Sequence, residues 1–156
     1  MTLEEKATNF DTFRHIERVR NLLNYFAKEL LDRGEAHDQS KLASPEVEVL
    51  TEHTSKLQGL TYDSPEYKAN LNTADMKAML EHHYARNRHH PQFHKRGVDD
   101  MDLVDLLEMI CDWKAASERH NDGNIRKSIE KNAERFNMSQ QLTRIFENTA
   151  RLFDDQ

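Results

Sequence analysis

The chain has 156 residues, 37% of them apolar and 32% charged, with nine histidines and a formal net charge of −6. That length holds one core and is short for two ordinary domains, so a single domain over residues 1–156 is expected. The acidic balance speaks against a general nucleic-acid binder, which needs a basic surface against phosphates, and the single Cys111 excludes an internal disulfide framework.

The opening "MTLEEKATNFD" carries acids and lacks the apolar stretch of a signal peptide, and no run approaches a membrane span, so a soluble cytoplasmic protein is expected. Four Gly and three Pro leave material for few turns, and the apolar residues recur at helical spacing. An all-α fold of about six or seven helices follows.

The first helix is predicted from about Asp11 to Arg33, where Phe13, Ile16, Val19, Leu23, Phe26 and Leu30 recur every three or four residues, with Gly34 at its C-terminal end. His15 shares a face with Val19 and Leu22. A turn then carries "HDQSKL", and "SPE" at 44–46 restarts the chain, with Ser44 as cap and Pro45 at the first helical position; this helix ends near Gly59. "SPEY" at 64–67 opens a helix through Tyr67, Leu71, Ala74 and Ala78 to "EHHYARN", stopping before Pro91.

After a loop to about Asp100, "MDLVDLLEMICDWKAAS" forms an amphipathic helix that turns Leu103, Leu106, Leu107, Ile110 and Trp113 to the core. One helix follows from about Asp122 to Phe136. A last one starts at a Ser139 cap and uses Leu142, Ile145, Phe146, Thr149 and Leu152; a partner chain could cover it, as in a homo-oligomer. No strand pattern, repeat or low-complexity segment is present.

Five of the nine histidines, His82, His83, His89, His90 and His94, lie in the fifteen residues "HHYARNRHHPQFHKR", where even placement would put about one. The same stretch carries Arg86, Arg88, Lys95 and Arg96 and no acid, a local positive patch suited to a small anionic ligand. Imidazole with carboxylate is a common donor set for divalent transition metals. The pairs stand seven residues apart, so a helix that lasted that far could bring His82 to His89, or His83 to His90. The sequence leaves both pairings open.

The order of His15, the adjacent His37-Asp38 and the distant Asp112 resembles the HD superfamily of metal-dependent phosphohydrolases, over about residues 10 to 120. "HDQSK" is similar to the HDxxK stretch of its HD-GYP branch and "CDWKAA" to the stretch around that branch's final Asp. No GYP is present and Lys114 or Ala115 replaces a second Asp, so cyclic dinucleotide specificity does not carry over. "HDQSKL", "HHP" and "EMICDW" also resemble an uncharacterised phage and bacterial family, which supplies no function.

The resemblance implies a helical bundle whose C-terminal helices 121–156 complete it. It implies one divalent ion (Mn, Fe, Ni, Co or Zn) on His15, His37, Asp38 and Asp112, and a second on one member of each His pair. Lys41, with Arg86 or Arg88, would face a phosphate group, and Glu108 could support Asp112 from four residues away. Glu46 and Glu48 could approach as a base or stand in water. Hydrolysis of a small phosphorylated substrate, a nucleotide, is the leading expectation. A di-iron oxygenase on the same fold and a non-enzymatic helical module with a structural metal are the alternatives.

Overall fold

The computed structural model describes residues 1–57, 60, 64–119 and 123–154. Among these the protein is all-α, with seven α-helices, four short 3-10 turns and no strand. The chain divides into two compact units, Met1–Ala36 and His37–Gln156.

The first unit is one helix, α1 (Leu3–Ala36). It starts eight residues before Asp11 because Thr2 and Glu5 make a reciprocal cap: the Glu5 amide donates to Thr2 Oγ1 at 3.1 Å and the Thr2 amide to Glu5 Oε2 at 2.6 Å. It also runs through Gly34, where the sequence predicted its end. A glycine lowers helix propensity by about 1 kcal/mol, which 34 residues of otherwise regular helix override. No residue of α1 is buried.

The second unit opens with a 3-10 turn at Gln39–Leu42 and continues with α2 (Glu46–Leu57), α3 (Pro65–Leu71) and α4 (Ala74–Tyr84). The predicted end of α2 near Gly59 lies outside the described residues. The single helix predicted from residue 64 to about 90 is two helices. Asn72 leaves helical geometry and Thr73 is extended (φ −71°, ψ 156°), so α4 begins afresh at Ala74. α4 then ends at Tyr84, six residues before the stop that Pro91 alone would impose. The Arg86 and Asn87 amides both donate to the His83 carbonyl, and the His90 amide donates to that of Asn87. This tight reversal sends His89 and His90 back along the helix end.

α5 (Leu103–Ser117) starts in a capping box: Asp102 accepts from the Val104 and Asp105 amides, and Asp105 accepts from the Asp102 amide. α6 (Ile125–Arg135), capped by Asn124, and α7 (Gln140–Ala150), capped by Ser139, pack on it and on each other. The expected start of α6 at Asp122 falls outside the described residues. Met109, Ile110, Ile125, Ile129, Phe146 and Ala150 form the core, with Leu106, Leu142 and Trp113 packed against it. Trp113 stacks on Phe136 at 6.3 Å between centroids. Leu103, Leu107, Ile145 and Leu152, expected inside, are exposed instead. The core uses the stripe through Leu106, Met109, Ile110 and Trp113, so Leu103 and Leu107 fall on the neighbouring face of α5.

Arg88 fastens the reversal after α4 to the start of α5. Its Nε and Nη2 reach Asp105 Oδ1 and Oδ2 at 2.7 and 3.0 Å, and Nη2 also reaches Asp102 Oδ2 at 3.1 Å. Asp105 is fully buried. Removing the guanidinium takes two charge-assisted hydrogen bonds from that buried carboxylate, so Arg88→Met is expected to cost about 3 kcal/mol in urea unfolding. Arg88→Lys should recover only part of it, because an ammonium cannot span both oxygens. A change in Arg88→Met below about 1 kcal/mol would mean that the capping box alone satisfies Asp105.

Candidate metal centre

Three stretches of the second unit converge. The first is His37–Asp38 with Lys41 and Glu46; the second runs from His82 to His90 across the end of α4; the third is Glu108 and Asp112, one turn apart on α5. Asp38 sits in the left-handed region (φ 55°, ψ 15°), a conformation Asp tolerates better than most residues at a cost of about 1–2 kcal/mol. It is the residue at which the chain leaves the helix and turns into Gln39–Leu42.

Two carboxylates set the histidines. Glu46 is fully buried and accepts from His82 Nδ1 at 2.7 Å on Oε1 and from His83 Nδ1 at 2.9 Å on Oε2, with Ser40 Oγ donating to Oε2 at 3.0 Å. The Asn87 amide also lies 3.0 Å from His83 Nδ1. Its hydrogens go to Ser40 Oγ at 2.8 Å and the His83 carbonyl at 2.9 Å, which leaves the Nδ1 proton to Glu46. Glu108 Oε1 lies 2.9 Å from both His37 Nδ1 and His89 Nδ1. A carboxylate that takes the Nδ1 proton leaves the Nε2 lone pair of a neutral imidazole free.

Those Nε2 atoms face one another and Asp38. His83 Nε2 is 2.9 Å from His90 Nε2 and 3.3 Å from Asp38 Oδ1, while His89 Nε2 is 3.6 Å from the same oxygen. Asp38 Oδ1 and His89 Nε2 are buried and have no hydrogen-bond partner. Asp38, His83, His89 and His90 each offer a donor atom within 4.8 Å of the others. His37, Asp38 and Asp112 do the same, with His37 Nε2 at 3.4 Å from Asp38 Oδ2 and 3.7 Å from Asp112 Oδ1. Two donor sets therefore share Asp38. Imidazole nitrogen and carboxylate oxygen gathered at one point are a donor set that suits a divalent transition metal.

The charges fit that description. Burial lowers the pKa of His90 to about 3, with charge on His89 and His83 adding to the effect, so its ring is neutral. Burial, then the Lys41 charge, also lowers that of His83 against the pull of Glu46. Burial works to raise Asp38 and Asp112. The Lys41 ammonium, 2.6 Å from Asp38 Oδ2, and the imidazoles beside both acids outweigh it, so both carboxyls are held below their ordinary value. His37 goes the other way, up to about 10, through its hydrogen bonds to Asp112 and Glu108.

The remaining residues singled out in the sequence fall as follows. His82 faces Glu46, outside both donor sets. His94 is in neither donor set; its Nε2 donates to the Arg88 carbonyl at 2.8 Å and lies 3.6 Å from Asp105 Oδ2. Arg86 is exposed, with Nη1 3.5 Å from the His82 carbonyl, and Arg88 is engaged by Asp105 and Asp102. Glu48 is exposed. His15 belongs to the first unit, where it is exposed.

The parts not foreseen are Glu46 as the acceptor of two adjacent imidazoles, with Ser40 and Asn87 around it. The only trace in the sequence is Asn87 one turn beyond His83 and Glu46 just after Pro45. The His83–His90 approach was one of two open pairings, but a chain reversal makes it, because α4 does not last to residue 90. A separate trio, Glu52, His53 and Asp75, also brings donor atoms together, with His53 Nε2 at 2.8 Å from Asp75 Oδ2.

The protein is thus an all-helical chain whose second unit carries a cluster of histidines and carboxylates able to chelate a metal ion. It belongs to DUF5662, a family of unknown function, which matches residues 4–152. No curated protein and no solved structure matches it. No helix among the described residues is long and apolar enough to cross a membrane.

In the metal-free protein the raised pKa of His37 has a definite sign. The folded state binds the His37 proton more tightly than the ordinary value of 6.5 implies, so its stabilisation is full below about pH 6.5 and is lost as pH rises through about 10. Thermal unfolding of chelator-treated protein should therefore show a Tm that falls from pH 7 to pH 10, with a shallower fall in His37→Gln. Equal slopes in the two proteins would remove His37 as the source.

Proposed function

We propose that the chain is a metal-dependent phosphohydrolase of the HD type, acting on a small phosphorylated substrate of the nucleotide class. The observation that carries the reading is the pair of donor sets joined at Asp38, one with His83, His89 and His90 and the other with His37 and Asp112. His37-Asp38, Asp112 and the Lys three residues on are residues on which the HD resemblance rests, whereas both His89 and His90 stand beside His83 where one member of each His pair was expected. His15, the remaining residue of that pattern, is carried by the resemblance alone.

Divalent ions in these sets would supply an activated water near neutral pH and neutralise charge on a phosphate. The chain's own residues have separate tasks. Glu108 lies against Nδ1 of His37 and His89, and Glu46 against Nδ1 of His83, so that Nε2 of each ring is turned toward the donor sets. Lys41, paired with Asp38 at 2.6 Å and partly exposed, is placed to turn its ammonium to a phosphoryl oxygen once Asp38 is otherwise occupied. Arg86 can add charge from the surface, whereas Arg88 stays with Asp105. Loading displaces the proton that His37 carries near neutral pH, so metal uptake should release protons.

A di-iron oxygenase would use the same donors, and the four imidazoles in the two sets suit iron as well as manganese or zinc. Elemental analysis separates the readings when combined with turnover. One or two equivalents of metal per chain are expected in the wild type and none in an Asp38→Ala, His83→Ala variant. Phosphate release from a nucleotide panel supports the hydrolase; oxygen uptake with an iron absorption band supports the oxygenase. An empty wild-type protein after anaerobic reconstitution with manganese, iron, nickel, cobalt and zinc would end both.

Glu108→Gln should weaken metal binding about 10- to 100-fold, because a neutral amide no longer fixes the two imidazoles. Titration with a competing chelator measures this directly. Unchanged affinity would show that Glu108 merely fills space beside the rings.

A further inference from the structure

α2 lies on α4 in a way that apolar packing does not explain. Among its described residues only Glu46 and His53 are buried, and both are polar. They stand seven residues apart, two turns and about 10 Å along one face of the helix. Asp75 and His82 stand seven residues apart on α4 in the same way. The two helices run antiparallel through these residues. Glu46 Oε1 meets His82 Nδ1 at 2.7 Å, and His53 Nε2 meets Asp75 Oδ2 at 2.8 Å. Each contact joins a carboxylate to a histidine, with the acid on α2 at one end and on α4 at the other.

The apolar side chains that α4 buries, Met76 and Met79, do not fix the register by themselves. Methionine is unbranched and flexible, and it repacks around a shifted neighbour. A hydrogen bond is less tolerant: it spans about 2.7–3.2 Å, whereas a slip of one residue moves a helix by ~1.5 Å. Register at the Glu46 end matters to the metal centre, because Glu46 Oε2 also meets His83 Nδ1 at 2.9 Å. His53 keeps its place at a cost, since its Nδ1 is buried with no hydrogen-bond partner. Asp75, in the first turn of α4, is 45% exposed and keeps its charge in contact with water. Such a polar pair adds little to stability and serves instead to fix how two helices meet.

We propose that His53 and Asp75 are positioning residues for the metal centre: their pair fixes the register of α2 on α4 and so sets Glu46 against His82 and His83. The role in metal binding rests on the reading of the cluster as a metal centre; the register does not.

The test compares His53→Leu, which removes the contact, with His53→Gln, whose side-chain amide can still donate to Asp75. One readout on the full chain is zinc affinity, by competition with a chelator. The other, on chelator-treated protein, is the nitrogen NMR shifts of the His82 and His83 imidazoles, which report their contact with Glu46. His53→Leu should move both imidazole signals and weaken zinc binding about 10-fold, the lower end of what loss of an orienting group costs. His53→Gln should restore both readouts toward wild type. The Tm of chelator-treated His53→Leu should stay near that of wild type, because leucine replaces an imidazole with an orphaned nitrogen and leaves Asp75 in water. A lower Tm with wild-type zinc affinity and imidazole shifts overturns the proposal. So does the loss of one zinc equivalent with the remaining affinity unchanged, which would make Glu52, His53 and Asp75 a metal site of their own. A wild type that takes no zinc or other divalent metal ends the metal reading, and the imidazole shifts then decide the register. If His53→Leu fails to fold, as read from Trp113 emission, Asp75→Ala replaces it with the same direction expected in both readouts.

Discussion

The site is organised by two carboxylates that never need to touch a substrate. Glu46 and Glu108 accept from four imidazole Nδ1 atoms, and by doing so they fix which nitrogen of His37, His83 and His89 points inward. The inward nitrogens then crowd Asp38. Each buried polar atom left without a partner costs about 1–3 kcal/mol, and both Asp38 Oδ1 and His89 Nε2 are in that position. A fold keeps such an arrangement only where its surroundings leave no alternative. Here the left-handed Asp38, the fully buried Glu46 and the Arg88–Asp105 clamp remove the alternatives.

The helices matter to the site through their ends. α2 begins at Glu46 and so delivers its carboxylate from the first turn, beneath α4. α4 brings His82 and His83 on its last turn, and the reversal that follows returns His89 and His90 to the same point. α5 contributes Glu108 and Asp112 on one face while its other stripe, through Met109, Ile110 and Trp113, belongs to the core with α6 and α7. The hydrophobic core thus fixes one wall of the site, and Arg88 fixes the reversal to that wall. The buried Asp105 carboxylate thus serves to join the reversal to the start of α5.

Much of this was legible in the sequence because helix periodicity is a local signal. The α5, α6 and α7 stripes and the Ser64 and Ser139 caps follow from residues within a turn of one another. The histidine cluster was legible from composition, and His37-Asp38 with Asp112 from order. What the sequence withheld depends on contacts distant along the chain. The break at Thr73 carries no glycine or proline to announce it, and nothing local ends α4 at Tyr84. Glu46 and His83 are 37 residues apart, so no spacing rule relates them. The exposed Leu103 and Leu107 were misjudged for a similar reason: on a helix rich in apolar residues, only the neighbours decide which stripe faces inward.

A cation at Asp38 would do more than complete the electrostatics. Its donors come from the turn after α1, the end of α4, the reversal and α5, so an ion held by them ties together four segments of the second unit. Any ligand that binds the folded state alone stabilises it in proportion to the logarithm of its concentration over its dissociation constant. Metal availability and the stability of residues 37–156 are then one equilibrium.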